Sequence, residues 1–320
     1  MAELAPSDGY PAAGSGDSVL ATLEQAATPP LVRRWLDNLV PVLIVLVILI
    51  AVWYASSAYF NLQNLDSLVV PPPGWQKLSL LEKIHRSLTT DQPLVPTPNQ
   101  TFSDFFNDLK QSPTADGTLW SDIFWTGQVA VLGFLLGSVI GIALALLFLS
   151  SRILAQALMP YVVASQTVPI IALVPPLIVT IGLGIRSEIL VSAYLAFFSI
   201  TISTYKGLQS VEPLAFDLMR SYAASRRQIF TKLRLPASLP FMFTGLKIGV
   251  TASLIGAVVA ELSSGSSHGL GQRLVTTTTD GLYIPLWSTI VATACVGLIL
   301  YGALVALEKA LVRQRVEATA

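Results

Sequence analysis

The chain has 320 residues, 53% of them hydrophobic and only 12% charged, against about 25% charge in an average soluble domain. Mean hydropathy is +0.65, and 19 Lys and Arg balance 19 Asp and Glu. That composition excludes an ordinary soluble domain and a disordered chain, and the missing basic surplus argues against a nucleic-acid partner. Cys295 is the single cysteine, and His85 and His268 are the only histidines. No intrachain disulfide is possible, and neither a metal centre, a catalytic constellation nor a bound cofactor is expected.

Residues 1–35 are rich in Ala, Gly, Pro and Ser. Up to residue 30 they carry acidic residues but no Lys or Arg, so they do not read as a signal peptide. A disordered cytoplasmic tail is expected. Six apolar stretches are long enough to be read as membrane spans, at 39–55, 123–149, 154–183, 188–205, 241–261 and 286–307. The first transmembrane segment is taken as 36–58 and a core of five spans as 122–312, followed by a cytoplasmic tail at 313–320. Prolines at 160, 169, 175 and 176 interrupt the third span.

Residues 59–121 read as an external loop. It holds an amphipathic helix at 78–88 and a second at 101–110, with Thr101 as N-cap and Phe102, Phe105, Phe106 and Leu109 on one side. Such a segment either lies on the membrane surface as a cap or docks a soluble partner.

Lys and Arg in the loops set orientation. With the N-terminus inside, the cytoplasmic side holds Arg33, Arg34, Arg152, Lys206, Arg220, Arg226, Arg227, Lys232, Arg234, Lys309, Arg313 and Arg315. The other side holds Lys77, Lys83, Arg86, Lys110, Arg186 and Arg273, most of them in one long loop that counts little. Both termini are therefore expected in the cytoplasm.

Residues 206–240 form a cytoplasmic connection far longer than the usual 2–8 residues between helices. Two helices are predicted within it. The first, 211–223, has Pro213 in its first turn and Leu214, Leu218 and Tyr222 at i, i+4 and i+8. Asp217, Arg220 and Ser221 fall on other faces. The second, 225–235, opens on a capping-box pattern at Ser225–Gln228, presents Ile229, Phe230 and Leu233 on one side, and is expected to stop at Pro236 and Pro240. Two amphipathic helices on one face suggest a docking surface made by Leu214, Asp217, Leu218, Arg220, Ser221, Tyr222, Ala223 and Arg226.

This loop resembles the EAA loop of ABC importer permeases, whose pattern is E-A-A, three residues, G, nine residues, I, one residue, L-P. Asp217-Leu218-Met219 takes the E-A-A place, Ala223 the glycine, Leu233 the isoleucine, and Leu235-Pro236 the close. The spacing is kept, while each of these first three elements is substituted. Ala in place of Gly disfavours a left-handed bend at 223. Gln166-Thr167-Val168-Pro169 with Pro175-Pro176-Leu177, Ala223-Ala224-Ser225 with Gln228-Ile229-Phe230, and Gly256-Ala257-Val258-Val259-Ala260-Glu261 with Gly269-Leu270-Gly271 resemble the nitrate/sulfonate/taurine permease branch.

The resemblance covers roughly residues 95–315 and implies a type I ABC importer permease: all-helical, with six transmembrane helices and a coupling-helix loop. It implies a bacterial plasma-membrane location, two ABC ATPase subunits that carry ATP and Mg, a soluble substrate-binding protein, and a second permease copy as homodimer partner. No Walker A pattern occurs in the chain, so any ATPase is another chain. The branch implies a small anion such as nitrate, sulfonate or taurine, and the 256–271 region looks more like the pyrimidine-precursor group.

Candidate pathway residues are Gln166 and Thr167 beside the proline break, Ser199 in the fourth span and Lys247 in the fifth. Gln166 and Thr167 either line the passage or bond to neighbouring helices. Ser199 either faces the pathway or bonds to its own helix backbone. Lys247 either snorkels to the interface or sits at a gate. Glu261 is expected to make helix-end or loop contacts, His268 to be an outer loop residue, and 263–271 to form a tight external loop. An ATP-independent carrier or channel would need paired repeats or buried acidic coupling groups, and neither is evident in the sequence.

Overall fold

Side chains that favour lipid over water also favour a backbone whose polar groups are all satisfied internally, and the long apolar runs accordingly form helices. The computed structural model describes residues 31–67, 75, 78–113 and 117–317, and among the described residues every regular element is helical. Of the disordered tail expected at 1–35, residues 1–30 lie outside them, and 31–35 are helical, because the first helix begins a turn before the apolar run.

In chain order the helices are α1 (Leu31–Ser67), α2 (Leu80–Thr89), α3 (Pro98–Leu109), α4 (Leu119–Ser150), α5 (Arg152–Ser165) and α6 (Ile170–Ile181). There follow α7 (Ile185–Gln209), α8 (Pro213–Ser221), α9 (Arg226–Ile229), a π turn (Phe230–Arg234), α10 (Leu235–Ser264), α11 (Leu270–Thr279) and α12 (Tyr283–Glu317). Five helices, or six if α5 and α6 together make one span, are long and apolar enough to cross a membrane.

The chain divides into a unit up to Ala55 and a unit from Ser56 onward. In the first, side chains of α1 between Leu39 and Val52 are mostly exposed on all sides, as suits a lipid-facing helix. In the second, α7 is the central helix, with α4 and α10 packed on either side. Small residues permit this approach. Gly133, Gly137 and Gly141 of α4 recur every fourth position against Ser192, Ala193, Ala196, Phe197 and Ile200 of α7. Gly245, Gly249 and Gly256 of α10 face α7 at Ser203, Ile200 and Ser192.

The segment before α4 is tied down by polar contacts. The Asn61 amide donates to the carbonyls of Ser87 and Val95, both at 3.0 Å, and its oxygen accepts from the Val95 N–H at 3.0 Å. α2 and α3 each open on a capping box, Ser79 with Glu82 and Thr97 with Gln100. The N-cap of α3 is thus Thr97, not Thr101. Pro98 suits the first helical position, and the Thr97–Gln100 box satisfies the free amides one turn earlier. Thr101 is buried inside the helix and donates to the Thr97 carbonyl. α3 packs on α12, and Phe105 enters the core with Leu119, Leu254, Leu270 and Val296. Phe102 and Phe106 stay exposed.

Two more expectations are narrowed and one is corrected. The third span is two helices that meet at 101°, with the break at Gln166–Pro169. Pro169 drives Val168 out of the helical region, whereas Pro160, Pro175 and Pro176 lie inside continuous helix. Pro236 and Pro240 do not stop the helix before the fifth span, because the π turn and α10 continue from α9 as one helical stretch. The wider π turn takes up the mismatch where a proline N–H is missing. The segment 263–271 is a turn only between Gly265 (φ 61°) and Gly269 (φ 106°), after which α11 begins.

Candidate coupling site

α8 is built to stand off the bundle. Pro213 occupies its first turn, and no residue of the helix is buried. Ala215, Phe216 and Met219 are half-buried on the inner side. Leu214, Leu218 and Tyr222 point outward and are 74%, 57% and 77% exposed. Asp217, Arg220 and Ser221 are exposed around them. The outer face therefore has an apolar stripe flanked by one acid and one base, with no cover among the described residues. The Phe216 ring is held between two guanidinium groups, Arg220 at 4.9 Å and Arg234 at 5.4 Å. Cation–π contacts of this kind fix the helix to the π turn.

The helix ends on a left-handed residue, Ala223, at φ 52°. This corrects the expectation drawn from Ala in the glycine position. Ala223 N–H donates to Arg220 O at 2.9 Å and Ala224 N–H to Met219 O at 3.0 Å. That pair of bonds is a Schellman motif, and it offsets the left-handed penalty on a β-carbon. Ser225 then caps the next helix as expected, donating its N–H to Gln228 Oε1 at 2.7 Å and accepting from Gln228 N–H at 3.3 Å. Arg226 is exposed on the same surface.

The pathway candidates do not gather at one place. Gln166 and Thr167 are exposed at the α5–α6 elbow, and the Thr167 hydroxyl donates to Ala164 O at 2.7 Å. Ser199 is buried and donates to Ala196 O of its own helix at 3.0 Å. Lys247 is engaged within the bundle. Its ammonium pairs with Glu308 of α12, with both side chains less than a quarter exposed.

At the opposite end of the bundle lies a polar network that sequence reading missed. Glu188 and Glu261 are fully buried and Asp122 nearly so. Buried acidic groups, not evident in the sequence, are therefore present, each engaged in hydrogen bonds. Two of the carboxylates and one hydroxyl hold the start of α11. Asp122 accepts from Gly269 N–H at 2.9 Å, Thr126 Oγ from Leu270 N–H at 2.8 Å, and Glu261 from Gly271 N–H at 2.8 Å. Thr126 in turn donates to Glu261 at 2.9 Å. Glu188 accepts from the Trp125 indole and the Ser264 hydroxyl, both at 3.0 Å. Arg273 bridges Asp108 of α3 and Asp122 of α4. Glu261 therefore makes the loop contacts expected of it, and His268 sits in the turn with its ring 5.2 Å from Trp125. A glutamate early in an apolar span was the available signal, since ionisable groups in spans are rare unless engaged.

A protein-family profile described as "Binding-protein-dependent transport system inner membrane component" matches residues 137–313. The formylaminopyrimidine transport permease protein ThiX of Halalkalibacterium halodurans is 39% identical over 158 residues, which cover 49% of this chain and 63% of that protein. The chain thus spans under two thirds of the length of that relative. The riboflavin transport system permease protein RibX of Chloroflexus aurantiacus is 32% identical over 222 residues, covering 69% of this chain and 80% of that one. Among solved structures, a chain of the MetNI methionine ABC transporter in an inward-facing conformation aligns with TM-score 0.54 at 18% identity, over 62% of this chain and 99% of that one. That likeness concerns the fold: the arrangement of helices is that of an ABC importer permease.

Proposed function

The chain belongs to the family of binding-protein-dependent transport system inner membrane components, and from that premise we propose that it is the membrane-spanning permease subunit of an ATP-driven importer. The observation that carries the reading is α8. An exposed apolar stripe of Leu214, Leu218 and Tyr222, with Asp217 and Arg220 beside it, suits insertion into a groove on another protein. In this reading the groove belongs to an ABC ATPase, two copies of which bind ATP and Mg. Arg220 and Arg234 on Phe216 transmit the movement of α8 to the π turn and so to α10.

The α8 side then faces the cytoplasm, both termini lie there, and the membrane is the bacterial plasma membrane. Two copies of this chain form the pathway, and a soluble binding protein delivers the solute to the opposite face. Gln166 and Thr167 at the elbow are the residues proposed to line the passage, and Lys247 with Glu308 a point where helices separate. Ser199 is proposed to contribute only after its hydroxyl leaves Ala196 O. The solute is a small organic nutrient resembling a pyrimidine or thiamine precursor, or a small anion such as nitrate, sulfonate or taurine. The names of ThiX and RibX favour the organic class.

Co-purification from the native membrane, read by mass spectrometry, tests this reading. An ATPase with a Walker A motif and a soluble binding protein should accompany the wild type. Asp217→Arg and Arg220→Glu should lose the ATPase while inserting normally. Unchanged co-purification and transport in both variants would refute the coupling role. Solute movement in ATP-free vesicles would replace it with an ATP-independent carrier.

A further inference from the structure

We propose that the cleft where α4, α5, α7 and the π turn meet is a binding site for the phosphate of an anionic phospholipid. The cleft has a volume of about 620 Å³. Its floor is apolar, from Phe148 and Met159, and Tyr205 packs edge-on to Phe148 at 5.7 Å between ring centres. Its rim is basic, from Arg152 and Arg234, and no acidic residue lines it. Neither arginine is in an ion pair among the described residues. Two unpaired guanidinium groups over an apolar floor, without a carboxylate to neutralise them, call for a monoanion with a greasy body.

The position of the cleft selects the lipid over a free anion. Arg152 opens α5 immediately after α4 ends, and Arg234 closes the π turn just before α10 begins. Both guanidinium groups therefore sit where spans end, which is headgroup depth. Leu146, Leu147 and Ile153 beside the cleft are exposed and offer a surface to acyl chains. Arg152 is also the first residue of a 14-residue helix, where the helix dipole adds to its charge.

The site reaches α8 through one side chain. Arg234 lines the cleft and also lies 5.4 Å from the Phe216 ring. A phosphate drawn to Arg234 fixes the guanidinium that packs on α8, so lipid in the cleft steadies that helix. This inference requires only that the chain sits in a bilayer and does not depend on the ATPase.

The test uses the full chain in detergent and native mass spectrometry with phosphatidylglycerol, phosphatidylcholine or inorganic phosphate. An arginine near a bilayer surface is worth about fivefold in anionic-lipid affinity, so the pair predicts roughly thirtyfold preference for phosphatidylglycerol. Arg152→Gln with Arg234→Gln should bring the preference close to one, and Arg152→Lys with Arg234→Lys should keep most of it. Hydrogen exchange at residues 213–221 should slow with phosphatidylglycerol in the wild type and not in Arg234→Gln. Equal retention of both lipids by the wild type, or unchanged preference in the double Gln variant, would overturn the site. Retention of inorganic phosphate without phosphatidylglycerol would overturn the lipid assignment. Should the double Gln variant fail to fold, each single Gln variant should still lose about fivefold, and the absence of that loss counts against the proposal.

Discussion

Thr126→Val isolates the polar network that anchors α11. The replacement conserves shape and removes only the hydroxyl. Thr126 is fully buried, accepts from Leu270 N–H at 2.8 Å and donates to Glu261 at 2.9 Å. Leu270 is also fully buried, so its N–H has no water to turn to. An orphaned buried donor costs about 1–3 kcal/mol. The side-chain bond to Glu261 adds about 0.6 kcal/mol, the mean for such pairs in membrane helices. The carboxylate is already short of partners, since its Oε1 finds none among the described residues. The expected loss is about 2–4 kcal/mol. Reversible SDS unfolding gives the total, and hydrogen exchange locates it, with the amides of Leu270 and Gly271 exchanging at least tenfold faster. Ser138→Ala is the control. Ser138 Oγ is buried on the same helix but has no hydrogen-bond partner among the described residues, so its loss should cost little. Equal destabilisation by both variants, or intact protection at Leu270, would refute the claim that these hydrogen bonds, not burial alone, hold the loop.

Four further outcomes are expected. Gly256→Ala should destabilise by about 1–3 kcal/mol, because a β-carbon there would stand 2.7 Å from Ser192 Cα, whereas Gly302→Ala meets nothing within 4 Å and should gain up to about 1 kcal/mol; SDS unfolding of both reads the sign. Ala223→Gly should stabilise by about 1 kcal/mol by removing the left-handed penalty, measured by thermal unfolding in detergent. Lys247→Met alone should cost up to about 3 kcal/mol by stranding Glu308, and Lys247→Met with Glu308→Leu should recover most of it, a sign-sensitive double-mutant cycle. Burial holds the Asp108 carboxyl above its ordinary 3.8, against the pull of Arg273. Its contribution to stability is therefore full below about pH 3.8 and lost as pH rises through the raised folded value. Stability of the wild type relative to Asp108→Asn should fall from pH 4 towards neutrality, and a rise would refute the assignment.

Hydropathy located the long helices because the bilayer imposes length and apolarity on each span separately. It could not show how they pack. The period-four glycines of α4 were in plain sight, yet their meaning depends on which helix they face, and α7 carries no matching pattern of its own. Helix ends were legible where local chemistry decides them, as at Ser225 and Pro213. They were misread where two local signals compete. Thr97 and Thr101 are both good caps, and Pro98 settles the contest. The prolines misled for a related reason. A proline breaks a helix only where the flanking backbone has another place to go, as at Pro169, and not where a π turn or a continuing span absorbs it.

The candidate coupling surface was visible because it is local: one helix, its stripe and its caps. The buried carboxylates were invisible because Asp122, Glu188 and Glu261 come from three helices and meet only in the fold. Their arrangement also bears on how the protein works. Asp122 and Glu261 satisfy backbone amides at the start of α11, and Glu188 holds the Ser264 hydroxyl, so the three read as a latch on the α11 end of α4, α7 and α10, not as carriers of a coupling ion. The opposite ends of α7 and α10 meet instead at the π turn, where Arg234 touches α8 through Phe216. A bundle pinned at one end by hydrogen bonds and held at the other by an exposed helix on cation–π contacts has its compliance at the α8 end. Displacement of α8 should therefore be felt first in the π turn and the lower half of α10, before the α11 latch yields.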